Sequence, residues 1–554
     1  MKIRTIILLS IACLGVISCS EEFFEKYPSN QITENTHFQT QGDFDQAVKS
    51  CYVKLKSEAS WPITIMSYRT DECQVESMSV ASRDRYNIDH FSENSSTALL
   101  ADVWSAWYNG IYRCNDVLDH MKEKDFPMIG QYRGELLFIR SWFYFNLYRT
   151  FGVVPIATTV VTPSDSKLVP RCTEEEMFSR LETDLLEAAE LLPAQRSAEV
   201  ARVTRIAAQA LLGKVYLTFG QYEKAEKILE TALQDPNFGL MGTTEEVFDV
   251  KNKMNKEIIF ALYYDKSTDH GHDYWFSSAT SVKADRYVPR QEFKDLYTEG
   301  DNRFDLIDSF REILPNKLYA MKKWDDVYDA TYVTSVGNDF PHLRYADLVL
   351  MYAEACFRNE DYKTANEYLN KTRTRAGLSY QEYSPTEFLK ALADERGKEL
   401  ALEGQRWYDL VRLGLAKEVL GPKGMQNHQV LFPIPLSQIE IINNDKINPL
   451  DVGEKQLCQI LCAYRIFLPF VGITVSSRES AEFRNGIVKI AATKVSAGVS
   501  TGIGDHESKY TGKEDDAVKG DEQFEIDDDR SFETMYKDMS GEGLQPVLND
   551  YVYV

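Results

Sequence analysis

Glu395, Glu399 and Glu403 stand four residues apart in the stretch DERGKELALEGQRWYDLVR, with Arg396 and Arg406 set among them. Carboxylates this close raise general acid and base chemistry, as in glycoside cleavage, where two acidic groups divide the work. The same spacing places them on one helical face, where the interleaved arginines favour a structural network of ion pairs. A second cluster, DHGHD, sets His270 and His272 between Asp269 and Asp273, residue types that suit a divalent metal. One such loop is a weak signal and reads as solvated surface, so no metal site is expected. No G-x-S-x-G, P-loop or dinucleotide-binding glycine pattern appears in a strand-to-helix setting. The chain therefore names no nucleophile, no catalytic residue and no cofactor.

Aromatic side chains in polar stretches offer a different chemistry. A sugar presents apolar C–H faces and rings of hydroxyls, so its site needs aromatic platforms edged by Asn, Asp, Arg or Gln. Segments 56–98, 236–290 and 315–341 are rich in Ser, Thr, Asp, Gly and aromatics. Their candidates are Trp61, Tyr68, Arg69 and Asp71, then Tyr274, Trp275 and Tyr287, then Trp324, Tyr328 and Asn338. Trp324 leads them, because WDDVYDATY has no helical apolar stripe to bury it. By contrast Trp104, Trp142 and Trp407 sit in strongly periodic stretches and are expected in the core.

The elements that position these residues are mostly helical, with periodic signals over 99–123, 131–150, 174–192, 202–233, 342–373 and 386–419. ALLGKVYLTFGQYEKAEKILETAL, residues 210–233, resembles a tetratricopeptide repeat, in which small residues such as Gly213 let paired helices approach. A weaker copy occupies 351–373, where Tyr362 and Ala365 match Tyr222 and Ala225, and a trace of a third lies in 42–55. Unequal copies far apart mean helical pairs interrupted by long insertions. Loops on such a scaffold are where binding residues tend to sit.

The 554 residues are 44% hydrophobic, enough for more than one core, and carry a net charge of -23, which repels phosphate backbones and excludes nucleic acid as a partner. Lys2 and Arg4 precede an apolar run, Ile6–Ile17, that is shorter than the ~20 residues a membrane span needs. Val16 and Ser18 before Cys19 resemble a bacterial lipobox, which makes residues 1–18 a signal peptide and Cys19 the lipidation site. The other cysteines are scattered, with no disulfide framework or zinc spacing.

From Cys19 to about Asn448 the chain resembles the SusD/RagB family of outer-membrane lipoproteins. The stretches that carry the likeness include FFEKYPSNQITENTHFQTQGDFDQAV, RSWFYFNLYRTFGVVPI, LRYADLVLMYAEA, NKTRTRAGL, DERGKELALEGQRWYDLVRLG and LFPIPLSQIEIINND, with Trp104, Tyr108, Ile111 and Asn115 as a spaced motif. The resemblance implies a mainly α fold over 19–450: a tetratricopeptide-like helical scaffold with long irregular loops. It further implies a protein facing the cell surface that binds an oligosaccharide, or in the RagB branch a peptide, and delivers it to a SusC-like TonB-dependent transporter.

Residues 451–554 follow a different pattern. EKQLCQILCAYRIFLPFVGITVSSRESAEFRNGIVKI and the chain beyond it resemble the C-terminal end of 2-iminoacetate synthase, a radical SAM lyase, as an α/β partial-barrel fragment. That family's chemistry needs a C-x3-C-x2-C motif for its iron–sulfur cluster. Cys458 and Cys462 supply the first spacing, but position 465 is Arg465. The tail is expected to be a fused fragment without catalytic competence.

Overall fold

Apolar positions at helical spacing build a run of helices, each packed on the next: α1 (Gln41–Tyr68), α2 (Ala98–His120), α3 (Ile129–Phe151), α4 (Glu174–Leu191), α5 (Arg205–Thr218), α6 (Tyr222–Leu233), α7 (Tyr345–Arg358) and α8 (Tyr362–Arg375). Two more, α9 (Phe388–Glu399) and α10 (Arg406–Arg412), follow, with short helices beyond them. The computed structural model describes residues 38–75, 83–162, 165, 169–196, 202–264, 272–273, 288–308, 310–313, 318–324, 335–441, 474–475, 484–485, 487–489, 494–495 and 531–541. The chain divides into two compact units, Met1–Ile447 and Asn448–Val554.

Helix α3 is buried along most of its length from Tyr132 to Phe151 and packs against α1, α2 and α4. A helix apolar nearly all round belongs at the centre of a core, and α3 occupies that place. Helix α4 begins with a reciprocal cap: the Glu176 N–H donates to Thr173 Oγ1 at 3.1 Å and the Thr173 N–H donates to Glu176 Oε2 at 2.7 Å.

The signals over 202–233 and 342–373 each resolve into a helical pair, α5–α6 and α7–α8. Ala225 and Ala365 are both fully buried in their second helices. Helix α6 packs on α7, so two copies remote in sequence are neighbours in space although residues 234–344 separate them in the chain. Helix α1 runs on to Tyr68, farther than the irregular segment expected from residue 56, because Cys51, Leu55 and Met66 extend one buried face.

The excursion is rooted by a short antiparallel ladder, β1 (Ile258–Leu262) with β2 (Phe340–Arg344), in register Ile258↔Arg344 and Leu262↔Phe340. Helix α7 starts directly from β2, and its Tyr345 N–H donates to the Glu257 carbonyl at 2.8 Å. In the second unit, β3 (Thr474–Val475) and β4 (Lys494–Val495) pair in parallel, and α11 (Phe532–Gly541) buries Met535 and Met539. Parallel pairing requires a crossover connection, as βα units supply. Cys458 and Cys462 lie outside the described residues.

Gly213 shows how tightly the repeat pairs are drawn together: a Cβ there would lie 2.4 Å from Leu229 Cδ2 on α6. Gly213→Val is expected to push α5 and α6 apart and lower stability by about 2 kcal/mol or more, measurable as a shift in the denaturant midpoint.

Candidate functional site

The three glutamates of α9 and the turn after it are indeed ion-paired, in a buried network of the first unit. Glu399 receives Arg344 at 2.6 Å and Arg303 at 3.0 Å, and pairs also with Arg375. Arg344 extends the network to Glu257 at 2.8 Å and Glu403 at 2.9 Å, while Arg303 reaches Glu395 at 2.7 Å and Asp301 at 2.8 Å. Lys323 closes the edge on Glu403 at 2.8 Å. Burial alone would raise the Glu399 carboxyl, but Arg375, Arg344 and Arg303 outweigh it and hold the group well below the usual carboxylate range. A carboxylate so fixed in its ionised form cannot serve as a general acid near neutral pH.

A second set of pairs joins α10 to α9, α7 and α5. Arg406 holds Asp71 in a bidentate pair, Nε to Oδ1 at 2.9 Å and Nη2 to Oδ2 at 2.7 Å. Arg396 joins Asp347 and Asp409, each at 2.8 Å, and Asp347 also takes Lys214 from α5 at 2.6 Å. Helices distant in the chain are thereby tied through charge as well as through apolar contact.

Five of the expected ligand-binding side chains lie inside this framework, which corrects the expectation that they form an exposed surface. Trp324 is fully buried, stacked on Phe340 at 5.4 Å between ring centroids and edge-on to Phe248 at 5.0 Å. The partners that bury it come from β2 and from a short helix at Thr244–Phe248, so no local stripe was needed. Tyr68 is buried at the end of α1. Arg69 pairs with Glu93, donates to the Gln429 carbonyl at 2.9 Å and lies 4.0 Å above the Phe432 ring. Asp71 is consumed by Arg406, and the Asn338 amide donates to the Phe248 carbonyl at 2.9 Å. The Trp61 backbone belongs to α1, but its side chain, like Tyr274, Trp275, Tyr287 and Tyr328, lies outside the described residues. The same holds for His270 and for the side chains of His272 and Asp273, whose backbone forms a short strand against Ser335–Val336.

Trp104, Trp142 and Trp407 are buried, as their periodic settings required. Trp104 has a further role that periodicity did not disclose. With Tyr108 and Tyr112, one and two turns along α2, it lines a cleft of about 320 Å³ whose other side is lined by Pro155, Ala157, Thr159, Val161 and Val169. Tyr112 is 49% exposed at its mouth, an exposure that helical spacing alone does not assign.

Paired helices stacked in series, with long insertions rooted on a buried ionic frame, define a tetratricopeptide-like scaffold. Residues 22–217 match the family described as "Starch-binding associating with outer membrane", residues 307–450 match the SusD family, and residues 431–545 match the "Biotin and Thiamin Synthesis associated domain". The SusD-like protein P2 of Formosa agariphila is 24% identical over 514 residues, covering 82% of this chain and 99% of its own length. A solved laminarin binding SusD-like protein aligns with a TM-score of 0.62 and 25% identity over 72% of this chain and 97% of that one. In its first unit the chain belongs to the SusD family. The tail is similar to 2-iminoacetate synthase of Salmonella typhimurium, 39% identical over 106 residues, which is 19% of this chain and 26% of the enzyme. The chain thus spans about a quarter of that enzyme's length.

Two outcomes test this assignment of roles. Trp324→Ala empties an enclosed aromatic site and is expected to cost about 3–5 kcal/mol, read by chemical denaturation. Glu72, fully buried beside Asp71 with its Oε1 taking the Leu402 N–H at 2.8 Å, has its pKa raised by burial to about 8. The folded carboxyl therefore stays protonated where the unfolded one ionises, so its stability contribution is complete below the ordinary carboxylate range and is lost as pH rises towards 8. Glu72→Gln removes that loss: its advantage over the parent should grow between pH 5 and pH 8, reaching roughly 2–4 kcal/mol. An advantage that shrinks with rising pH would have the wrong sign.

Proposed function

We propose that this chain is a cell-surface lipoprotein, held by lipid on Cys19 at the outer membrane, that captures a glycan and delivers it to a SusC-like TonB-dependent transporter. The observation that carries the proposal is the placement of the insertions. Segments 236–290 and 315–341 lie in the chain between α6 and α7, and the β1–β2 ladder that joins them ends on Arg344 in the buried network. Aromatic-bearing loops with so rigid a base suit sugar recognition, in which stacking and edge hydrogen bonds are individually modest and need little reordering on binding. The family descriptions and the laminarin binding relative support a glycan as the ligand class. Of the aromatic candidates, Trp61, Tyr274, Trp275, Tyr287 and Tyr328 carry the proposal.

Capture of this kind makes and breaks no bond. The tail spans only a quarter of its enzyme relative and has Arg465 where the third cluster cysteine would stand, so no lyase activity is assigned to it.

Affinity electrophoresis of the full chain through gels containing a panel of neutral and acidic polysaccharides tests the proposal. Retardation by at least one polysaccharide is expected, with at least a tenfold loss of affinity when Trp275→Ala and Tyr328→Ala are combined. Retention unchanged by that double substitution would place the ligand elsewhere. No retardation across the panel would favour a peptide ligand.

A further inference from the structure

The cleft beside α2 has the chemistry of a second binding site, separate from the insertions. Its walls are held in place from behind. The Tyr108 hydroxyl donates to the Pro155 carbonyl at 2.8 Å, and the Asn115 amide donates to the Ala157 and Thr159 carbonyls at 2.9 and 3.2 Å. Asn115 in turn accepts from Arg140 at 2.9 Å, and Arg140 is locked to Asp184 of α4 at 2.8 Å. Tyr144 donates to the Ala157 carbonyl at 2.8 Å and accepts from its N–H at 2.7 Å. Segment 155–159 is therefore fixed against α2 and α3 by hydrogen bonds from both helices, and the cavity needs no ordering before a ligand enters.

The frame groups are used up in holding the wall; the groups at the rim are not. The side chains of Ser105, Tyr112, Thr159 and Gln438 line the cleft and make no hydrogen bond to another described residue. Between them stand the apolar surfaces of Trp104 and Tyr108. No Asp, Glu, Lys or Arg is among the described residues that line the space. A charged ligand would find no counter-ion in these walls, which favours a neutral one. The volume of about 320 Å³ lies at the small end of ligand sites, room for one or two sugar rings and too little for a protein surface.

We infer that this cleft binds a neutral saccharide unit, its C–H face against the aromatic wall and its hydroxyls on the uncharged rim. It would act as a second contact for a chain held by the insertions, raising retention through effective concentration rather than through a tight site of its own. The inference rests on the glycan reading of the protein, but its site is independent of the insertions.

Saturation-transfer NMR on the full chain, titrated with glucose, galactose, N-acetylglucosamine, their neutral disaccharides and glucuronate, provides the test. Affinity of about 1 mM or weaker is expected for at least one neutral sugar, as befits a ligand of so few atoms. Tyr112→Ala, which removes a half-exposed ring, should weaken it at least fivefold, and Ser105→Trp, which fills the mouth, should abolish it. Both variants should keep the parent's melting temperature. Binding unaffected by either variant, or stronger binding of glucuronate than of any neutral sugar, would overturn the inference, as would no sugar binding at all. Polysaccharide retardation in gels separates the two sites. If it persists while sugar binding at the cleft is absent, only this inference fails. If the Tyr112-dependent signal appears without retardation, the assignment of the insertions fails instead.

Discussion

The meeting of Glu399 with Arg303, Arg344 and Arg375 is the interaction on which the first unit turns. Each of these guanidiniums arrives from a different part of the chain: one before the third insertion, one at the end of β2 and one at the end of α8. Bringing charges out of water is expensive, and a buried pair often adds little net stability over an apolar replacement. Removing one partner is another matter, since it strands the others, typically at about 3–5 kcal/mol. The network therefore acts as a specificity device. The observed arrangement of α8, α9 and β2 pairs each of these carboxylates with a guanidinium, which favours it over registers that would strand a charge.

That arrangement explains how a repeat scaffold tolerates a long interruption. Helix α6 and helix α7 pack as consecutive repeats do, though more than a hundred residues separate them. The interruption leaves and returns through β1 and β2, and Glu257 and Arg344, at the foot of the ladder, are both members of the network. The base of the insertions is consequently tied into the same buried network as the helices. A scaffold for recognition benefits from a fixed base, because selectivity can reside in loop shape while stability resides beneath it.

Much of this was legible in the sequence because it is local. The 3.6-residue period located the helices, the repeat spacing paired α5 with α6 and α7 with α8, and the i, i+4 glutamates with arginines between them announced ion pairs. What was not legible is cross-chain. Trp324 looked exposed because its own neighbours offer no apolar face, yet Phe248 and Phe340 enclose it from 76 residues before and 16 after. Arg69 and Asp71 looked like polar edges for a ligand and are instead partners for Glu93 and Arg406. Buried polar residues carry no periodic signal of their own, so sequence reasoning assigns them to the surface. The cleft on α2 was hidden for the opposite reason: Trp104 read as core, and nothing local shows that the facing segment stands off far enough to leave a space.

The account holds that a locked helical frame carries glycan-binding insertions. Hydrogen exchange of the full chain, followed by mass spectrometry with and without a retained polysaccharide, measures this most directly. The account predicts added protection in peptides from 56–98, 236–290 or 315–341, with exchange in 345–412 slow and unchanged by the ligand. Protection confined to 345–412, or a ligand that leaves every insertion untouched, would contradict it.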